Sequence, residues 1–174
     1  MDLPSSLPRI PTTQVLTMSP LSDTLSFKHD ALVRAFAKKY KLSLDSSEEL
    51  FGQMLQWLWF LTHRNLTHTP QHGFPTFPAQ APLDIYWHEF ILDTRAYQHF
   101  CTTHLGEFLH HCPTPEGLLG ASHELFLTHP QQQQEIIRVL LKNAMHEVHA
   151  AMGLETMLSW YVHLHAKYPQ LVPS

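Results

Sequence analysis

Along this chain apolar side chains return every three or four residues in segment after segment, and no segment keeps the strict alternation of a half-buried strand. That period predicts helices, and the punctuation between the periodic runs predicts where they stop. Asp30 precedes Ala31–Tyr40, whose lysines fall in the last turn, where the helix dipole favours them. Ser46 or Ser47 then caps Glu48–His63, with Leu50, Met54, Trp57, Leu58 and Leu61 as its stripe. Phe51, Trp59 and Phe60 widen that stripe enough to predict a central helix. Pro82 opens a third helix through Leu83, Tyr86, Trp87 and Phe90. Asp93 or Thr94 caps a fourth through Tyr97, Phe100, Cys101 and Leu105, ended by Gly106. Pro115 and Glu116 open another through Leu118, Leu119 and Phe126. The strongest stripe follows, from Ile137 through Leu141, Ala144, Met145, Val148 and Met152 to the stop at Gly153. A last helix uses Leu154, Met157, Leu158, Tyr161 and Tyr168. The expected architecture is all-α, a single-domain bundle of six or seven helices over residues 27–174.

Two segments fall outside the pattern. Residues 1–26 carry Pro4, Pro8, Pro11 and Pro20 among Ser and Thr, without the basic start and apolar run of a secretory signal, and are expected to be a flexible arm. Residues 68–82 carry Pro70, Pro75, Pro78 and Pro82 around Phe74 and Phe77, too proline-rich for helix or inner strand, and are expected to be a loop.

Composition narrows the function classes. With 174 residues, 44% of them hydrophobic and 15% charged, the chain is too apolar to be disordered. A net charge of -4 with 11 Lys+Arg argues against nucleic acid as a partner, and the local run Lys28, Arg34, Lys38, Lys39 and Lys41 is expected to be a solvated helix face. No apolar stretch is long enough to cross a membrane. The two cysteines, Cys101 and Cys112, have neither redox-motif nor disulfide-framework spacing, which points to the cytoplasm.

Histidine is the abnormal entry in the composition, its 15 copies matching all the carboxylates together. Asp84 and His88 stand four apart on the third predicted helix, flanking its apolar face, so Asp84 is placed either to share a metal with His88 or to orient its imidazole. The structural alternative has Asp84 complementing the helix dipole and His88 in a buried hydrogen bond. His110 and His111 follow Gly106 in a turn from which one of them can reach back to His88. Cys112 is a further candidate for such a site, whereas Cys101 falls within an apolar stripe and is expected to be a buried thiol. His146 is expected to face water, and His165 lies on the apolar stripe of the last helix, as a core histidine or a fourth ligand. His29, His63, His68, His72, His99, His104, His123 and His129 show no convergent spacing and are expected at the surface.

The stretch from Leu83 to Cys101, with Asp84, Trp87-His88, Asp93, Tyr97 and Cys101 followed by Gly106 and His110-His111, resembles the glycine-rich domain-containing protein-like family. The resemblance covers about 30 residues and implies that these are signature positions, without implying an activity. Two departures accompany it: Phe90 stands where the family often has a second histidine, and the glycine-rich region is missing.

Two functions are therefore expected. The first is a small helical metal-binding protein using His88, His110, His111 and Asp84, with Trp87, Asp93, Tyr97 and Cys101 in structural or supporting places and zinc or iron as the ion. The second is a non-catalytic interaction module in which the His/Asp cluster is structural and the Pro/Phe-rich loop 68–82 meets a protein partner. Haem between two helices is a weaker third option.

Overall fold

The protein is described by a computed structural model over residues 17–67, 74–111 and 130–171, and the described residues form helices and no strand. A short helix α1 (Leu21–Leu25) leads to α2 (Asp30–Tyr40) and then to α3 (Leu44–Thr67), 24 residues long. A 3-10 turn (Pro78–Gln80) runs into α4 (Ala81–Leu92), and α5 (Thr94–Phe100) continues as a π-helical turn (Cys101–Leu105). Helix α6 (Pro130–Met152) is followed by α7 (Leu154–Leu158), a second π-helical turn (Ser159–His163) and α8 (Leu164–Lys167). The predicted helix at 115–126 lies outside the described residues.

Helix α3 is the axis of the fold, because its apolar residues leave little of its circumference polar. Leu50, Phe51, Met54, Leu55, Trp57, Leu58 and Phe60 are all buried, and α1, α2, α4 and α6 pack around them. Aromatic rings supply most of the mortar. Phe36 of α2 stacks on Tyr86 of α4 at 3.7 Å, and Trp57 meets Trp160 edge-on at 5.0 Å. The buried side chains of Thr24, Ser47, Thr62 and Gln80 are partnered, whereas the buried Trp160 indole N–H is not. Ser47 donates its hydroxyl to the Val33 carbonyl at 2.9 Å and faces the Tyr86 hydroxyl at 3.0 Å, tying α2, α3 and α4 together at one point. Burial pushes the Tyr86 hydroxyl up to about 12, so it stays protonated and available as the donor to Ser47.

Several boundaries differ from the sequence expectation for physical reasons. The cap of α2 is His29, whose Nδ1 accepts the Leu32 amide at 3.2 Å, and Asp30 is the first helical residue. Helix α3 begins a turn before Glu48, with Ser43 accepting the Ser46 amide at 3.1 Å; Ser47, expected as a cap, is inside the helix and buried. The expected arm ends sooner than residue 26: α1 is folded, and the Ser19 carbonyl accepts the Trp59 indole N–H at 2.9 Å. Within 68–82, residues 78–82 are helical, with Gln80 buried and donating to the Trp160 carbonyl at 3.0 Å. Ile137 of α6 is exposed instead of buried, and Ala144 and Val148 carry the contact.

His165 is the clearest correction. The π-turn holds an extra residue in its hydrogen-bonded ring, so the buried face passes from Trp160 to Leu164 and Tyr168, and His165 turns to solvent. Three histidines expected at the surface instead have packing partners. His29 meets Asp93, His63 stacks on Trp59 at 4.9 Å and His104 packs between Phe27 and Phe100. His146 is exposed, as its helical angle predicts.

Removing the Ser47 hydroxyl strands the buried Tyr86 hydroxyl. Ser47→Ala is expected to cost about 1–3 kcal/mol in urea unfolding, and adding Tyr86→Phe to recover part of that loss, because no unpaired donor then remains.

Candidate metal centre

The site is built on the boundary of the α4 contact face. Leu83, Tyr86, Trp87 and Phe90 are buried, so the next residue around the helix from Leu83, Asp84, and from Trp87, His88, sit at the margin of that face, one turn apart. The Asp84 side chain is 30% exposed and that of His88 54%. Gly106, at φ 78°, ends the π-turn in the left-handed region and lets the chain double back toward α4. Residues 108–111 then run without regular structure, and their sides alternate. Leu109 is buried and His111 turns inward, while Phe108 and His110 are exposed and pair edge to face at 4.8 Å.

His111 reaches Asp84. Its Nε2 donates to Asp84 Oδ1 at 2.9 Å, its side chain is 16% exposed, and its ring centre lies 4.3 Å from that of His88. His88 Nδ1 donates to the Asp84 backbone carbonyl at 2.7 Å and stands 3.3 Å from Asp84 Oδ2. That bond fixes the tautomer that leaves His88 Nε2 with its lone pair free, the usual posture of a metal-binding imidazole. Asp84, His88 and His111 each offer a ligand atom, and these atoms lie within 4.8 Å of one another. A cation with bonds of about 2.0–2.2 Å needs ligand atoms about 3–3.5 Å apart, so holding one would require these atoms to draw closer together.

A buried relay behind the cluster holds the returning loop. The Trp87 indole N–H donates to the Tyr97 hydroxyl at 3.0 Å, and Tyr97 donates onward to the Leu109 carbonyl at 2.6 Å, two residues before His111. The Trp87 ring also meets the His111 ring edge to face at 4.4 Å. Cys101 lies beside the Tyr97 hydroxyl and the Leu109 amide, and burial pushes its thiol up from its ordinary value. Burial likewise raises the Tyr97 hydroxyl, keeping it a donor. Trp87, Tyr97 and Cys101 are thus one network under the site. Asp93 is elsewhere: it caps α5 by accepting the Ala96 amide at 3.2 Å and pairs with His29 Nε2 at 3.0 Å. These bonds hold its carboxyl below the ordinary range, the Ala96 amide contributing most.

A cleft of about 460 Å³ opens in front of the cluster. Leu61 and Asn65 of α3, Phe74, Thr76, Phe77 and Pro78, and Leu109 to His111 share in lining it with α4. His110 therefore borders the cleft without joining the three converging donors. Cys112, the other sequence candidate, lies outside the described residues. No residue outside the sequence candidates joins the cluster among the described residues; what sequence spacing left open was the choice between His110 and His111.

The model of the UCP032817-like family matches residues 21–151, which span every residue of the cluster and its supporting network. That description differs from the family that the Leu83–Cys101 stretch resembles. No curated protein and no solved structure matches the chain.

Two outcomes test the relay. Tyr97→Phe leaves both the Trp87 N–H and the Leu109 carbonyl without their shared partner and is expected to lower unfolding stability by about 1–3 kcal/mol in urea titration. In a Cys112→Ser background, Cys101 is expected to react with a thiol-specific disulfide reagent at pH 8 at least about a hundredfold more slowly in the native state than in urea, because it is buried and its thiolate is disfavoured.

Proposed function

We propose that this chain, which belongs to the UCP032817-like family, is a small helical metal-binding protein whose ion is held by Asp84, His88 and His111. The observation that carries the proposal is the convergence of two imidazoles and one carboxylate, drawn from a helix and a returning loop, on one wall of a cleft. Two histidines and a carboxylate form a donor set suited to zinc or iron, and soft ligands are not among them. Such an ion, with part of its coordination sphere facing the cleft, would hold a water molecule or a small ligand there.

The chain's own residues are arranged for that role. His88 is oriented by its own helix through the Asp84 carbonyl, and His111 is oriented by Asp84 and by its edge-to-face contact with the Trp87 ring. For His111 to hold an ion through Nε2 as a neutral imidazole, the proton that now bridges to Asp84 Oδ1 would have to be carried on Nδ1 instead, which would free that nitrogen and that oxygen together for the ion. The sequence stretch that resembles the glycine-rich domain-containing protein-like family supplies Asp84 and His88 and ends at His111, so resemblance and cluster rest on the same residues. The competing proposal, an interaction module meeting its partner through residues 68–82, gains little from Phe74 and Phe77. Phe74 packs against Trp57 and Phe60, and Phe77 against Tyr161.

Mass spectrometry of untagged protein after exposure to zinc or ferrous iron and removal of loose metal is expected to find close to one ion per chain. Asp84→Ala, His88→Ala and His111→Ala are each expected to weaken binding by more than about a hundredfold, beyond the usual cost of losing an outer-sphere partner, while His110→Ala retains it. A wild-type protein that holds no metal above these variants would refute the proposal.

A further inference from the structure

The cleft is larger than an ion and its water need. At about 460 Å³ it sits within the range of small-molecule sites, roughly 300–1,000 Å³, whereas a water molecule takes about 30 Å³. Its walls are mostly carbon. Leu61, Phe74, Phe77 and Leu109 offer no polar side-chain atom, and the one polar atom of the Trp87 side chain is already committed to Tyr97. The neutral groups Asn65 and Thr76 are exposed, and neither lysine nor arginine is among the described residues that line the cleft.

Charge then selects the ligand. A divalent ion on Asp84 and two neutral imidazoles leaves one positive charge, which a single negative charge on a ligand neutralises. A second negative charge would find no lysine or arginine among the described residues of the walls, and beyond the ion's own ligands only the His110 imidazole at the border could carry a charge to meet it. Resting on the metal-binding proposal, we infer that this cleft takes a small organic monoanion, its oxygen donors on the ion and a flat apolar body against Phe77, Leu61 and Trp87. Phosphate and phosphate esters are the class it rejects.

Hydroxamates separate the two halves of this inference, since acetohydroxamate and benzohydroxamate present the same metal-binding head and differ in the body. Co(II)-loaded full-length protein is titrated with each and with inorganic phosphate, following the visible bands of the bound Co(II). Benzohydroxamate is expected to bind at least about tenfold more tightly than acetohydroxamate, and phosphate more weakly than either. Ala81→Leu, which adds bulk to the cleft wall, is expected to shrink that tenfold preference while leaving Co(II) uptake unchanged. Phe77→Ala, which removes a wall, should shrink it from the other direction if the first variant does not fold. A preference within about twofold of unity, a preference indifferent to whichever variants fold, or phosphate binding as tightly as benzohydroxamate would overturn the ligand class while leaving the metal site standing. Wild-type protein that takes up no Co(II) would overturn both.

Discussion

The hydrogen bond from the Tyr97 hydroxyl to the Leu109 carbonyl decides where the end of the α5 unit goes. At 2.6 Å, inside the core, it is the point at which an irregular loop becomes part of the packed interior. The same hydroxyl receives the Trp87 indole N–H, so one oxygen joins α4, α5 and the loop. The cost of burying these polar groups is offset only when all of them are paired, which makes the arrangement all-or-none. His111 inherits its place from this bond: with Leu109 fixed inward, the next residue must turn out and the one after must turn in. Asp84 then finds His111 already within hydrogen-bonding distance.

Much of the fold follows from the spacing of apolar residues. The breadth of the α3 stripe announces a central helix, and the α4 pattern at Leu83, Tyr86, Trp87 and Phe90 is the face that is buried. What spacing does not encode is a change of period. The second π-turn shifts the buried face after Trp160, and nothing local in Ser159–His163 signals it, so His165 reads as inward when it is exposed. Caps are similarly ambiguous where several capable residues adjoin: His29 takes the cap beside an Asp30 better suited by propensity, because its Nε2 gains Asp93 across the helix interface.

Two of the three members of the candidate centre were legible for a simple reason. Asp84 and His88 lie one helical turn apart, and helix geometry alone puts them side by side. The third member was legible only as His110 or His111, because Phe108 and Leu109 are both apolar and either could have been the buried one. Only Tyr97 settles the phase of that alternation. Asp93, grouped with the supporting residues on sequence, serves α5 and α2 instead, since a good N-cap satisfies a helix end wherever it occurs.

The separation of 27 positions from Asp84 to His111 gives the centre a further property. Its donors, the Trp87–Tyr97–Leu109 relay and the Gly106 reversal all belong to one uninterrupted stretch, so closing the centre requires only a short loop of chain to find itself. Contacts of such low sequence separation form early and cheaply in folding compared with those that seat α6, α7 and α8 on α3. The centre is therefore a local module laid on the α3 core, able to change its chemistry through substitutions within that stretch without renegotiating the long-range packing that keeps the rest of the chain folded.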